Sequence, residues 1–234
     1  MLSGFPTVKM SHILFFFQPN PRLMDILIPD TSSLINIHEV YVGGSHITDV
    51  LNQLFHVQVS REIPHEIRRH KDELGGYDKQ MLQFVRQARR YFHRDRDYEE
   101  ILFDQFAPKG NPCKNRGERY NCALALWLVR RRHSGQVIML TDDMNSRRGF
   151  IGWYEKHFKT TKTWTSLDLL MHIYLVMFPR WSYIQAYSAL RHINPNVAGT
   201  REVITKRLIK YRDCLKLLDS MLKDMPSVKK RGEL

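Results

Sequence analysis

Four acidic positions stand where an α/β chain could bring carboxylates together. Asp30 follows the apolar run 24–29 (MDILIP), and Asp142 and Asp143 follow 136–140 (QVIML). Short β-prone runs that end on an acid read as strands whose carboxyl ends carry it. Glu66 lies in the first turn of a helix after Pro64, and Glu118 starts another after Gly117. Ligands and catalytic groups of an open parallel sheet gather outside the carboxyl ends of its strands. Carboxylates converging there repel one another, and either neutralise or bind a cation. Hard oxygen donors without a Cys or His pair select Mg²⁺ or Mn²⁺ over zinc. Such an ion in a basic protein can bind a phosphodiester oxygen and acidify water for in-line attack. The expected chemistry is therefore metal-dependent phosphodiester hydrolysis. The competing explanation is that each acid caps a helix and favours its dipole. It suffices for any one acid, whereas four acids at sheet-edge positions favour the ion site.

The elements that must position these acids can be read from periodicity. Strands are expected at 24–29, 56–60, 136–140 and 159–164. Helices are expected at 46–55, 63–74, 118–132, 146–157 and 166–178, with two more inside 78–106. Strands alternating with helices four times predict an α/β fold with a parallel sheet covered on both faces. Beyond Pro179 the pattern is helical, at 181–190 and 201–223, with no strand candidate. The division expected is an N-terminal extension (1–23) holding an unplaced apolar piece, a catalytic-type domain (24–178) and a basic helical region (179–234).

With 234 residues and 27.8 kDa, the chain can hold one large domain, or one of about 150 residues with an appendage. An apolar share of 43% and a charged share of 26% argue against a disordered chain. Thirty-six Lys and Arg against 24 Asp and Glu give a charge of +12. A field of that sign favours nucleic acid first and an anionic membrane surface second, with solubility alone as the plain alternative. No apolar run approaches the ~20 residues of a membrane-spanning helix, so integral membrane association is not expected. Cys113, Cys122 and Cys214 are odd in number and lack C-x-x-C spacing. They read as reduced thiols of an intracellular protein, cytoplasmic or nuclear.

The runs DILIPDTSSLINI (25–37), VSREIPHEI (59–67), GERYNCALAL (117–126) and VIMLTDDMNSRRG (137–149) resemble the four signatures of the PIN-domain nucleases. The resemblance spans about residues 24–178. Its most specific parts are Asp-Thr-Ser after the first strand and the Leu-Thr-Asp-Asp-x-Asn stretch. It implies a three-layer α/β/α fold with a mostly parallel, about five-stranded sheet, and a Mg²⁺- or Mn²⁺-dependent endonuclease acting on RNA before DNA. The family's acids fall on Asp30, Glu66, Glu118 and Asp143, with Asp142 as rival for the last and Glu62 for the second. By the same resemblance, Asp30 and Asp143 hold the ion, Glu118 is a third ligand, and Glu66 completes the site or orients water. Thr31, Ser32 and Thr141 could bond these carboxylates or the substrate, or simply cap helices. Asn145 could do likewise, or cap its helix. The long insert 78–106 bears on substrate preference more than on chemistry.

Lys114, Arg116 and Arg119 bracket Glu118, and Arg147 and Arg148 follow Asp143. They are expected either to hold a phosphate backbone or to pair with the acids before metal binds. Residues 199–208 (GTREVITKRL) resemble the second half of a SAP motif, a small helix-turn-helix nucleic-acid binder. Arg201, Lys206 and Arg207 are its candidate phosphate contacts. A basic amphipathic helix packed on the sheet explains the same pattern. The C-terminal helices could also pair two protomers or receive a regulatory protein. Two alternatives to the ribonuclease remain: a DNA nuclease with the same site, and a PIN-like scaffold that binds without cutting.

Overall fold

The apolar runs that end on acids form neighbouring strands of one sheet. The structure, a computed structural model, describes residues 24–70, 72, 76, 78–88, 116–130, 136–197 and 199–225. Strand β1 (Ile26–Pro29) leads into α1 (Thr31–Ile37), the ribbon β2 (Tyr41–Val42) and β3 (Ser45–His46), and α2 (Ile47–Leu54). Then come β4 (His56–Val57), α3 (Ile63–Arg69), α4 (Asp78–Ala88) and α5 (Arg116–Arg130). Strand β5 (Val137–Leu140), α6 (Met144–Arg148), α7 (Phe150–Phe158), β6 (Thr161–Trp164) and α8 (Ser166–Met177) follow. The described chain closes with α9 (Tyr183–Ile193), a 3₁₀ turn (Asn194–Asn196) and α10 (Arg201–Asp224).

The sheet runs β4-β1-β5-β6 with every pairing parallel. The fold is thus α/β, with four strands in the sheet among the described residues where the resemblance implied about five. Pro29 is in register with Leu140. This brings the two acid-bearing ends level: the Asp30 N–H donates to the Leu140 carbonyl at 2.9 Å, and the Thr141 N–H to that of Trp164 at 2.9 Å. From β1 the chain moves to β4 on one side and later returns to β5 on the other. The crevice between β1 and β5 is therefore the point where strand order reverses, the usual place for a ligand in such sheets.

Strands this apolar are buried on both faces, because alternate side chains enter different cores. Leu27, Ile138 and Leu140 pack with α1 to α4 and the helices from α8 onward. Ile26, Ile28, Val137 and Met139 pack with α5 and α7. Each fully buried Leu or Ile contributes about 1.5–3 kcal/mol. Leu190, Ile193, Val197, Leu215 and Leu222 belong to the same core as Leu27, so α9 and α10 are docked on α8. The Tyr174 hydroxyl seals that contact by donating to Asp219 at 2.7 Å, and the Tyr211 hydroxyl donates to Asp168.

Several details differ from expectation. The helix expected over 146–157 is two helices parted at Gly149, whose backbone (φ −92°, ψ −122°) leaves the helical region. Asp143, rather than Asn145, caps the first of them. The Gly43-Gly44 turn of the β2–β3 ribbon takes φ of +56° and +87°, a conformation that favours glycine at both positions. GTREVITKRL opens a helix of 24 residues. Cys122 and Cys214 are free thiols, while Cys113, the apolar piece near the N-terminus and the second half of 78–106 lie outside the described residues. No described helix is long and apolar enough to cross a membrane.

Candidate acidic site at the sheet edge

Asp30 ends β1 and caps α1, with Oδ1 accepting from the Ser33 N–H at 2.8 Å and the Ser32 hydroxyl at 2.9 Å. Burial pushes its carboxyl from the ordinary 3.8 up to about 7, against the lowering effect of hydrogen bonds from Thr141 and Ser33. The nearby charge of Asp142 adds to the rise. Asp143 ends the neighbouring strand segment and caps α6: Oδ1 accepts from the Asn145 N–H and Oδ2 from the Ser146 hydroxyl, each at 2.8 Å. Glu66 lies in the first turn of α3, accepts from the Thr31 hydroxyl and stands 4.0 Å from the exposed Arg69 guanidinium. Glu118 lies in the first turn of α5, with Oε1 2.5 Å from the same Ser146 oxygen.

All four acids line one pocket of about 440 Å³ at the mouth of the β1–β5 crevice. Gly117 gives Glu66 its room, since a Cβ there would stand 2.9 Å from Glu66 Oε1. Ser146 touches two carboxylates, yet a hydroxyl carries one proton and can donate to only one at a time. The other contact sets acceptor against acceptor until a proton or a cation enters. Asn121 also lines the pocket. It is 2% exposed, and its side-chain oxygen has no hydrogen-bond partner.

The rival positions separate. Asp142 is 2% exposed and accepts from Asn36 Nδ2 at 2.8 Å, the Ser166 N–H at 2.8 Å and the Ser166 hydroxyl at 2.5 Å. It touches the pocket, but its bonds are engaged in tying α1 and α8 to the sheet edge, whereas Asp143 is more open. Glu62 opens α3 without a capping bond and pairs with Arg69 at 3.1 Å, away from the pocket wall. The Thr31 hydroxyl bonds Glu66 and that of Ser32 bonds Asp30, and buried Thr141 accepts the Asp143 N–H at 3.3 Å. Asn145 is exposed and serves Asp143 through its backbone, so its side chain is not part of the pocket.

The expected cations are less uniform. Arg119 is 3% exposed, turned into the interior because one residue along a helix is about 100° round it. It is thereby withdrawn from any phosphate-binding surface. Lys114 lies outside the described residues, and Arg116 opens α5. Arg147 is half-buried and Arg148 exposed in the last turn of α6, directly after Ser146 of the pocket. Arg201 is exposed, and Lys206 pairs with Glu202 at 2.5 Å. Arg207 donates to Asn194 Oδ1 (2.8 Å) and to the carbonyls of Asn194 (3.0 Å) and Val197 (2.6 Å), clamping α10 to the 3₁₀ turn.

Ser146, Asn121 and Gly117 have parts in the site that sequence reasoning did not assign. Spacing offered a signal for two of them: Ser146 and Asn121 each stand three residues after a site acid, on the same helix face. As the side chains stand, no three His, Cys, Asp or Glu residues among the described residues group closely enough to hold one ion. The hydroxyls of Thr31, Ser32 and Ser146 occupy the carboxylate oxygens instead. The donors are nevertheless all hard oxygens, and the doubly shared Ser146 hydroxyl and the unpartnered Asn121 oxygen are what Mg²⁺ or Mn²⁺ would satisfy. No family model, curated protein or solved structure matches this chain.

Proposed function

We propose that the chain is a metal-dependent, PIN-like endonuclease that cuts single-stranded RNA in preference to DNA. The observation that carries this reading is the meeting of Asp30, Glu66, Glu118 and Asp143, from four separate segments, in one pocket where strand order reverses. Asp30, Asp143 and Glu118 would hold Mg²⁺ or Mn²⁺. The ion would supply the positive charge that polarises a phosphate and acidifies water. Glu66, steadied by Thr31, would orient the attacking water and take its proton. In-line attack at phosphorus then breaks the bond to the 3′ oxygen, which takes a proton from solvent. The products are a 5′-phosphate and a 3′-hydroxyl, and the step needs no 2′-hydroxyl. Arg147 and Arg148, which follow Ser146 on α6, would meet neighbouring phosphates.

One observation favours the scaffold reading: Asp30 and Asp143 both cap helices, a structural task that would keep them without catalysis. Labelled single-stranded RNA and DNA, incubated with the protein in Mn²⁺ or EDTA, separate the two. The expected result is Mn²⁺-dependent RNA cleavage that falls at least about a hundredfold in Asp143→Asn. Asparagine still caps α6, so the fold should survive. Cleavage of DNA alone would move the substrate class. Salt-sensitive binding without cleavage of either would establish the scaffold.

A further inference from the structure

Asn121 is a polar residue of the pocket that the fold leaves unanswered. Its side-chain oxygen is buried without a hydrogen-bond donor, a state that costs free energy unless a ligand relieves it. The walls around it are themselves acceptors: Asp30, Glu66, Glu118 and Asp143 line the same pocket. The nearby hydroxyls are already engaged, Thr31 with Glu66, Ser32 with Asp30, and Ser146 with Glu118 and Asp143. An oxygen acceptor that no N–H or O–H reaches can be satisfied by a cation. An apolar side chain of similar size would avoid the penalty and suit the run that follows, since Cys122, Ala123, Leu124 and Ala125 are all buried. Helical spacing places Asn121 on the face of Glu118, three residues earlier.

We propose that Asn121 is a cation ligand of this pocket, its carbonyl supplying an uncharged oxygen beside Asp30, Glu118 and Asp143. The inference rests on the cation-binding part of the reading above. Mg²⁺ and Mn²⁺ accept oxygen donors of this kind. An uncharged donor also adds a ligand without adding to the repulsion among four carboxylates that one divalent ion only partly offsets.

The test is direct binding rather than cleavage. Mn²⁺ is titrated into the full chain, with free ion followed by its paramagnetic resonance signal, for the wild type, Asn121→Leu and Asn121→Asp. Asn121→Leu should bind Mn²⁺ at least about tenfold more weakly than wild type, while melting no lower than wild type in EDTA. Asn121→Asp keeps an oxygen and should bind as tightly or more tightly, with a larger rise in Tm on adding Mn²⁺. Equal affinity in the wild type and Asn121→Leu overturns the inference and leaves the ion site standing. Absence of Mn²⁺ binding by the wild type overturns both. Should Asn121→Leu fail to fold, Asn121→Asp decides: a folded variant that has lost Mn²⁺ binding sinks the proposal, and one that binds with the larger Tm rise upholds it.

Discussion

In the pocket, Asp30, Glu66, Glu118 and Asp143 share one lining, and each carboxylate meets a hydroxyl. Along α10, by contrast, Lys206 meets Glu202 at 2.5 Å and Lys223 meets Asp219 at 2.7 Å, each within a single turn. Arg207 nearby is engaged with carbonyl oxygens. Charge in the C-terminal helices is answered locally, and such exposed pairs add only about 0.3–0.5 kcal/mol each. Charge in the pocket is gathered from distant parts of the chain, with the Arg69 guanidinium 4.0 Å from Glu66 set against it. Helix capping holds Asp30 and Asp143 in place, and bringing the acids together still sets like charges against one another. The net charge of +12 is thus a poor guide to where an anionic partner would bind, since part of it is committed to internal structure.

Four substitutions probe this contrast, taken from the largest expected effect downward. Arg207→Ala removes the bonds to Asn194 and Val197 from a half-buried guanidinium and should cost about 3 kcal/mol in urea unfolding. A loss below about 1 kcal/mol would mean that α10 is not clamped there.

Asp30→Asn acts in the opposite direction. The Asp30 carboxyl rises from 3.8 to about 7 on folding, so its ionised form opposes the folded state. The Asp30 contribution to stability in EDTA should be intact near pH 4, fall as pH rises towards about 7, and level off above. The variant should lack that slope and gain roughly 2 kcal/mol at pH 8, less than the full shift implies because the carboxyl opens onto the pocket. Parallel pH profiles for both proteins would refute the linkage.

Gly117→Ala places a methyl group against Glu66. It should lower cleavage about tenfold by displacing that carboxylate, while stability stays within about 0.5 kcal/mol because a side-chain tip can yield. Unchanged cleavage would remove Glu66 from the machinery. The smallest effect is expected for Lys206→Ala, at most about 0.5 kcal/mol, with no change in the salt dependence of RNA binding. A salt slope reduced by about one unit would restore Lys206 as a phosphate contact.

Much of this site is legible in the sequence, because the acids of the two central strands lie within three residues of the strand ends. MDILIP runs straight into Asp30, and QVIML into Thr141 and Asp142. The alternation of helix and strand then places both at one edge. What composition cannot show is helical phase and competition for caps. Arg119 sits beside Glu118 in the chain yet faces the interior. Asp143 caps α6 two residues before Asn145, because the helix starts at Met144. The β2–β3 ribbon, with strands of two residues each, is too short to show a period-2 pattern. The clamp on Arg207 depends on Asn194 and Val197, whose position relative to α10 is set by packing on α8.

The pairing of β1 with β5 also sets a timetable. More than a hundred residues separate Asp30 from Asp143, about ten seconds at the usual pace of translation. A half-made chain carries Asp30, Glu66 and Glu118 on helices and strand ends that have no β5 beside them. The fourth acid and its strand emerge together, and closing so long a loop comes late in folding. A chain that stalls before residue 137 is therefore unable to assemble the pocket, however well its first half is formed.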